Sequence, residues 1–341
     1  MRTTRYRPPG DAGRASPVMP RFALPLIVLA LLAVLAIGGA MIVGSATLGL
    51  EQLAAVFVGQ GEPLAHTLVM ELRLPRALSA FAVGGLLAVA GALMQILLRN
   101  PLADPYVLGI SGGAAVGALA AMLAGLGGVL LSGSAFGGAL LSMLLVFALA
   151  RGEGSWTPSR LLLTGVVVAS GWGAVITLLL SLSPTQALPG MLFWLMGDLS
   201  YARAPWVPLT LLLLVCLLLM PLGRHLNVLA RGPMQAASLG VDVRWLSWGI
   251  YLIASLLTAT AVTSAGTIGF VGLVVPHMLR LVLGNDQRLI LPACALSGGL
   301  LLVVADTLAR SVIAPEQLPV GVITALLGVP VFLLLLNRSR S

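Results

Sequence analysis

Few residues in this chain could do chemistry, and their spacing says which chemistry is closed to it. Its three histidines, His66, His225 and His277, lie too far apart to suggest a metal site, and there is no H-E-x-x-H run. All nineteen basic residues are arginine. Without lysine there is no G-x-x-x-x-G-K-[ST] loop, so the chain cannot hydrolyse ATP by that route, and no lysine Schiff base can form. Cys216 and Cys294 sit inside apolar runs, as small core residues rather than a disulfide framework. The runs Gly171-Trp172-Gly173 and Gly109-Ile110-Ser111-Gly112-Gly113 resemble catalytic loops superficially, and helix packing is the reading we favour for both. Within the apolar stretches the main ionisable residues are Asp306 and His277, the latter after Pro276 and read as structural. That scarcity argues against an ion-coupled secondary transporter and against a polar intramembrane enzyme.

The elements that must position these residues are ten long apolar stretches. The chain is 59% hydrophobic and only 9% charged, against about 25% charged residues in an ordinary soluble domain, so its solvent is a lipid bilayer. Residues 1–21 carry five arginines among Pro, Gly and Ser and read as a disordered basic tail. The following run is too long for a cleaved signal segment and counts as a span. The spans fall at 22–44, 77–98, 106–125, 128–150, 161–182, 205–222, 245–264, 268–283, 290–309 and 318–336, which makes the fold an all-α polytopic membrane protein with ten transmembrane helices. The eighth is short and opens on a Gly-rich turn, a feature associated with transport pathways. With both termini cytoplasmic, fifteen of the nineteen arginines lie inside, as the positive-inside rule asks. Topology therefore explains the formal charge of +8, and no nucleic acid partner is implied.

The four outer arginines are Arg73, Arg76, Arg203 and Arg310. Arg73, Arg76 and Arg310 stand at predicted helix mouths. Their charge placement is equally consistent with snorkelling or an internal pair, such as Asp306 with Arg310 at i, i+4, and with docking of an acidic partner. On the inner side, Arg231-Gly232-Pro233 followed by Ala236, Ala237, Leu239 and Gly240 reads as a start, a short amphipathic helix and a stop. It suits a peripheral subunit or an ordinary interfacial helix. Outside, Gln186 to Gly197 is too short to cross and reads as a half-helix at the outer mouth. Its Met191, Phe193, Trp194 and Met196 form either a vestibule for a large ligand or an aromatic belt.

Three stretches then carry a specific resemblance. Arg73 to Ala114, containing R-L-P-R and N-P-L-A-D-P, Gly266 to Arg280, G-T-I-G-F-V-G-L-V-V-P-H-M-L-R, and Leu318 to Phe332 resemble, in order, the signatures of the permeases that import iron–siderophore, haem and vitamin B12. The resemblance extends over nearly the whole chain from about residue 22. It implies a ten-helix permease domain (22–341), paired with a second copy of itself, a cytoplasmic ABC ATPase dimer and a periplasmic substrate-binding protein. It implies no cofactor or metal on this chain, ATP and Mg being used by the partner ATPase. It places binding-protein docking at Arg73, Arg76 and Arg310, and ATPase coupling helices in the 231–244 segment. It places the cytoplasmic gate at Asn100 and Leu102 together with Pro158 and Ser159, where Pro158 departs from the Thr-Ser pair of the vitamin B12 permease. The function it implies is ATP-driven import of a metal chelate across the inner membrane, iron–siderophore first, with vitamin B12 or haem as alternatives.

Overall fold

The computed structural model describes residues 19–44, 49–150, 158–200, 202 and 204–338. Among these there is no strand. In chain order the helices are α1 (Met19–Ile42), α2 (Leu50–Phe57), α3 (Pro63–His66), α4 (Leu74–Leu98), α5 (Ile110–Leu123), α6 (Gly128–Ala150) and α7 (Pro158–Leu182). They continue as α8 (Leu188–Met196), α9 (Trp206–Arg231), α10 (Pro233–Ser238), α11 (Val243–Ala265), α12 (Val271–Leu283), α13 (Gln287–Ser311) and α14 (Val320–Arg338). Seven helical segments are long and apolar enough to cross a bilayer, and three shorter apolar helices, α5, α12 and α14, accompany them. Each of the ten expected spans falls on one of these. Of the basic tail, residues 1–18 lie outside the described residues, while 19–21 already belong to α1.

The centre of the molecule is α4. It is buried all round along most of its length and packs against α13, α11, α12 and α9. Small residues explain how. A Cβ on Gly84 would stand 2.1 Å from the Gly298 carbonyl of α13, and one on Gly91 would stand 1.9 Å from the Gly272 carbonyl of α12. Backbones this close exclude any side chain between them, the device by which membrane helices gain van der Waals contact where lipid gives no hydrophobic drive. Gly113 on α5 and Gly138 on α6 repeat it, each backbone against the other. Gln95, buried on α4, adds a polar fastening, its amide donating toward the Gly272 and Leu273 carbonyls of α12. By contrast α1 and α7 present most of their surface outward.

Differences from the expected boundaries have local causes. The span expected from residue 77 is the end of a longer helical segment, because α3 joins α4 through a π-helical turn at Thr67–Arg73. α9 runs to Arg231 rather than stopping near 222. Arg224 and His225 read as part of an inner polar segment, but the helix carries them on its exposed side while Leu219, Leu226 and Leu229 stay buried. The short helices α2 and α3 were not expected at all.

Candidate functional site

At the end expected to face outward, Arg73, Arg76 and Arg310 turn into the protein rather than standing open. The Arg73 guanidinium, buried, donates to the Met41 and Ile42 carbonyls at 2.7 and 3.0 Å. Arg310, also buried, donates to the Ala40 carbonyl at 3.2 Å. These are the last carbonyls of α1, which lack partners in their own helix and carry the negative end of its dipole. α1 has no basic residue in its last turn, so other elements supply the cations. Arg76 forms a fork with Asp306, through Nε at 3.0 Å and Nη2 at 2.8 Å, and also donates to Gln317. Asp306 is buried, and Arg310 Nε lies 3.2 Å from its second oxygen without the alignment to donate to it. The i, i+4 pair anticipated from the sequence therefore exists inside a cluster of three arginines and one carboxylate. Arg76 is the most accessible of the three arginines, and Arg203 lies outside the described residues.

The half-helix expected at the outer mouth is α8, which packs on α5 and α14. Its Trp194 carbonyl rests on Gly266 and its Met196 carbonyl on Gly321, where a Cβ would in each case come within 2.1 Å. Val320 N–H donates to the Gly197 carbonyl, and Asp198 N–H to the Ala265 carbonyl. The half-helix is thus tied to the end of α11 and the start of α14. The period of the helix divides its four selected residues. Met191 and Trp194 are buried, Met191 taking a hydrogen bond from Ser183, whereas Phe193 and Met196 are 38% exposed. Only the latter two stand on an open surface, so the expected four-residue vestibule is reduced to Phe193 and Met196. Gly266 and Gly321 as supports for α8 went unrecognised, although the Gly-rich run before α12 was visible.

Next to α8, one edge of α7 is open and free of charge. Ser170, Gly173, Thr177 and Ser181 follow it at spacings of three and four residues, all exposed. Each hydroxyl donates to a carbonyl of its own helix, Ser170 to Val166, Thr177 to Gly173 and Ser181 to Leu178. The surface is wettable, but its donors are already committed, so it offers a passing molecule little to hold. The expectation that Gly171 and Gly173 serve helix packing does not hold within this chain, since a Cβ on either would meet nothing within 4 Å. Gly112 and Gly113 do pack, against Trp172 and Gly138.

At the end expected to face inward, Asn100 caps its own turn, accepting from Leu102 N–H at 2.9 Å, and Leu102 is 41% exposed. The 3₁₀ turn Pro105–Leu108 that follows packs on α7, whose first residues are Pro158 and the exposed Ser159. The two expected gate pieces thus occupy neighbouring elements, with no contact recorded between them. The segment just before Pro158, residues 151–157, lies outside the described residues. Asp104, half-buried, accepts from Tyr106 N–H, and burial pushes its carboxyl up to about 6 against that hydrogen bond.

The 231–244 segment forms one short helix, α10, rather than several coupling helices. Gly232 (φ +132°) and Gly240 (φ +79°) supply the left-handed turns on either side, conformations that L side chains rarely adopt. Pro233 opens α10, Ala236 is buried, and Met234, Ala237 and Leu239 point outward. Arg231 ends α9 and is exposed. Among the described residues no three His, Cys, Asp or Glu side chains gather as a metal site would require.

Residues 27–338 match the FecCD transport family. The chain is 41% identical over 334 residues to the hemin transport system permease protein HmuU of Yersinia pestis, covering 95% of this chain and 97% of the relative. It is 45% identical over 278 residues to the cobalamin import system permease protein BtuC of Halobacterium salinarum, covering 80% and 74% respectively. Among solved structures it is similar to a transporter described as of the metal-chelate ABC type, in an inward-facing conformation, with a TM-score of 0.82 and 30% identity over 92% of this chain and 98% of that one.

Proposed function

Because the chain belongs to the FecCD transport family, we propose that it is the membrane permease of a binding-protein-dependent importer and that its cargo is an iron–siderophore. Members of this family are multi-pass inner-membrane channel subunits, and the ATPase of these ABC importers is a separate subunit. Family membership along residues 27–338 is the observation that carries the reading. The charge-free edge of α7 supports the cargo class, since a bulky chelate must slide past without being trapped. Vitamin B12 is the second reading and haem the third, motivated by relatives named for cobalamin import and hemin transport. Neither α8 nor the open edge of α7 carries a basic side chain that could pair with haem propionates, which ranks haem last.

In the proposed mechanism two copies of the chain pair with their α7 edges toward the shared path, ten helices of each crossing the membrane with both termini inside. A loaded periplasmic binding protein docks on the outer rim. Arg76 is the favoured contact, because it is the most accessible of the three, although it too is paired, with Asp306 and Gln317. ATP and Mg act in the partner ATPase dimer, which pushes on the apolar knob of α10. The movement reaches the gate at Asn100, Leu102, Pro158 and Ser159 through α9 and α4. The test is uptake of labelled ferric siderophores, haem and cobalamin in cells lacking the gene. Loss of siderophore uptake alone, restored by the gene, is the expected result. Loss of cobalamin or haem uptake instead would replace the cargo, and unchanged uptake of all three in a strain without a second importer would overturn the reading.

A further inference from the structure

The ends of α4, α9 and α12 and the start of α13 line a cleft of about 740 Å³, whose rim includes Arg231 at the start of the segment read above as ATPase-coupling. Four arginines line it, Arg99, Arg231, Arg280 and Arg288, against one carboxylate, Asp286. That carboxylate is already taken, forming a fork with Arg288 at 2.7 Å and accepting from Asn227. Arg280, half-buried, has the Gln95 side-chain oxygen as its partner and meets no carboxylate among the described residues. The side chains of Arg99 and Arg231 make neither hydrogen bond nor ion pair with those residues. Three helices end here, and their dipoles account for part of this positive charge. Each is worth roughly half an elementary charge, however, and the start of α13 contributes the opposite sign. An excess of positive charge remains. Arg99 also holds a left-handed conformation (φ +49°) at the end of α4, a position that ordinarily goes to glycine or asparagine.

An apolar stripe leads away from this cleft along α13. Arg288 lies between α9 and α1, packed on Gly223 and 5.6 Å from the Phe22 ring centre. At four-residue intervals above it, Pro292, Leu296 and Leu300 are partly exposed and Val304 and Leu308 exposed, with Ser297, Leu301 and Thr307 partly exposed beside them. Both α1 and α9 pack on α13, and among the described residues they share no substantial seam with each other. The result is a basic, headgroup-sized cleft, with an open apolar stripe of α13 running on from Arg288 between α1 and α9.

We propose that this cleft and stripe bind one anionic phospholipid of the inner leaflet, its phosphate among Arg99, Arg231 and Arg280 and one acyl chain along α13. A basic pocket between membrane helices on the cytoplasmic side is suited to such headgroups. The apolar stripe favours lipid over an acidic loop of a protein partner, because a peptide backbone has no use for an apolar surface in hydrocarbon.

The test is native mass spectrometry of the full chain, purified in neutral detergent and titrated with phosphatidylglycerol or phosphatidylcholine of the same chains. One phosphatidylglycerol should be retained per chain, with about tenfold preference over phosphatidylcholine. Arg99→Gln combined with Arg231→Gln should weaken phosphatidylglycerol by about 30-fold and leave phosphatidylcholine unchanged. Leu296→Trp should weaken it through the stripe alone. If the double variant does not fold, raising salt from about 0.1 to about 0.5 M on the unaltered chain should remove the preference. Equal binding of both lipids would overturn the proposal. So would displacement by millimolar inorganic phosphate, which would make the ligand a soluble phosphate. Intact lipid binding in the double variant together with lost ATPase association would instead assign the cleft to an acidic protein surface.

Discussion

Arg73 and Arg310 show how a side chain chosen for one role can be held in another. Their donors cap the final carbonyls of α1, and Asp306 balances Arg76 and Arg310 nearby. Removing one member of a buried ion pair leaves its partner uncompensated, so Asp306→Asn is expected to cost about 3–5 kcal/mol. Thermal unfolding in detergent measures this, and an unchanged transition would deny the cluster a structural role. Arg76→Ala should weaken binding-protein association and also lower stability, because it leaves buried Asp306 to Arg310 alone; a folded variant with normal association would remove Arg76 from the docking surface. Asp104 makes a separate prediction. Its folded pKa, about 6, lies above its ordinary value, so its contribution to stability is full below about pH 4 and is lost as pH rises through about 6. Asp104→Asn should flatten that segment of the stability profile; a slope identical to that of the unaltered chain would sink the assignment. At this scale the sequence was informative only locally. The four-residue spacing of Asp306 and Arg310 was legible, but the carbonyls that Arg73 meets belong to a helix some thirty residues earlier, and no local pattern records that contact.

Among the elements, the same residue type does opposite jobs. Gly84 and Gly298 let α4 and α13 touch backbone to backbone, whereas Gly173 lies on the open edge of α7. Gly84→Ala should therefore force the helices apart and cost about 3 kcal/mol or more. Gly173→Ala should be neutral or stabilising by up to about 1 kcal/mol, because it removes helix-disfavouring backbone freedom. Comparing the folded yield and melting temperature of the two variants checks both statements. Spacing alone could not separate these glycines, since both stand in apolar surroundings. Punctuation succeeded elsewhere: Gly232-Pro233 and Gly240 framed α10, and the half-helix expected between Gln186 and Gly197 is α8. It failed for α2 and α3, which are short and lie in a segment without the long apolar run of a span. The face of α8 that turns inward also depends on Gly266 and Gly321, supplied by distant parts of the chain.

For the whole molecule, hydropathy placed every long apolar helix, because each must match the thickness of the same bilayer. What hydropathy could not rank was which helices meet lipid and which meet protein, since both environments are apolar. The proposed path gives a direct test. Thr177→Cys should react with a small hydrophilic thiol reagent in the assembled transporter, whereas buried Cys294 should stay unlabelled; protection of Thr177→Cys in every transport state would move the path off α7. The encased position of α4 carries one more consequence, for synthesis. Its partners α11, α12 and α13 emerge much later, so the helix destined for the centre must enter the bilayer with its Gly- and Ala-rich flanks bare and wait there for them. The nascent chain can therefore reach no native core until its C-terminal third is made. A ribosome stalled before α11 should leave a protease-sensitive, quality-control-prone intermediate, however well each early helix has inserted.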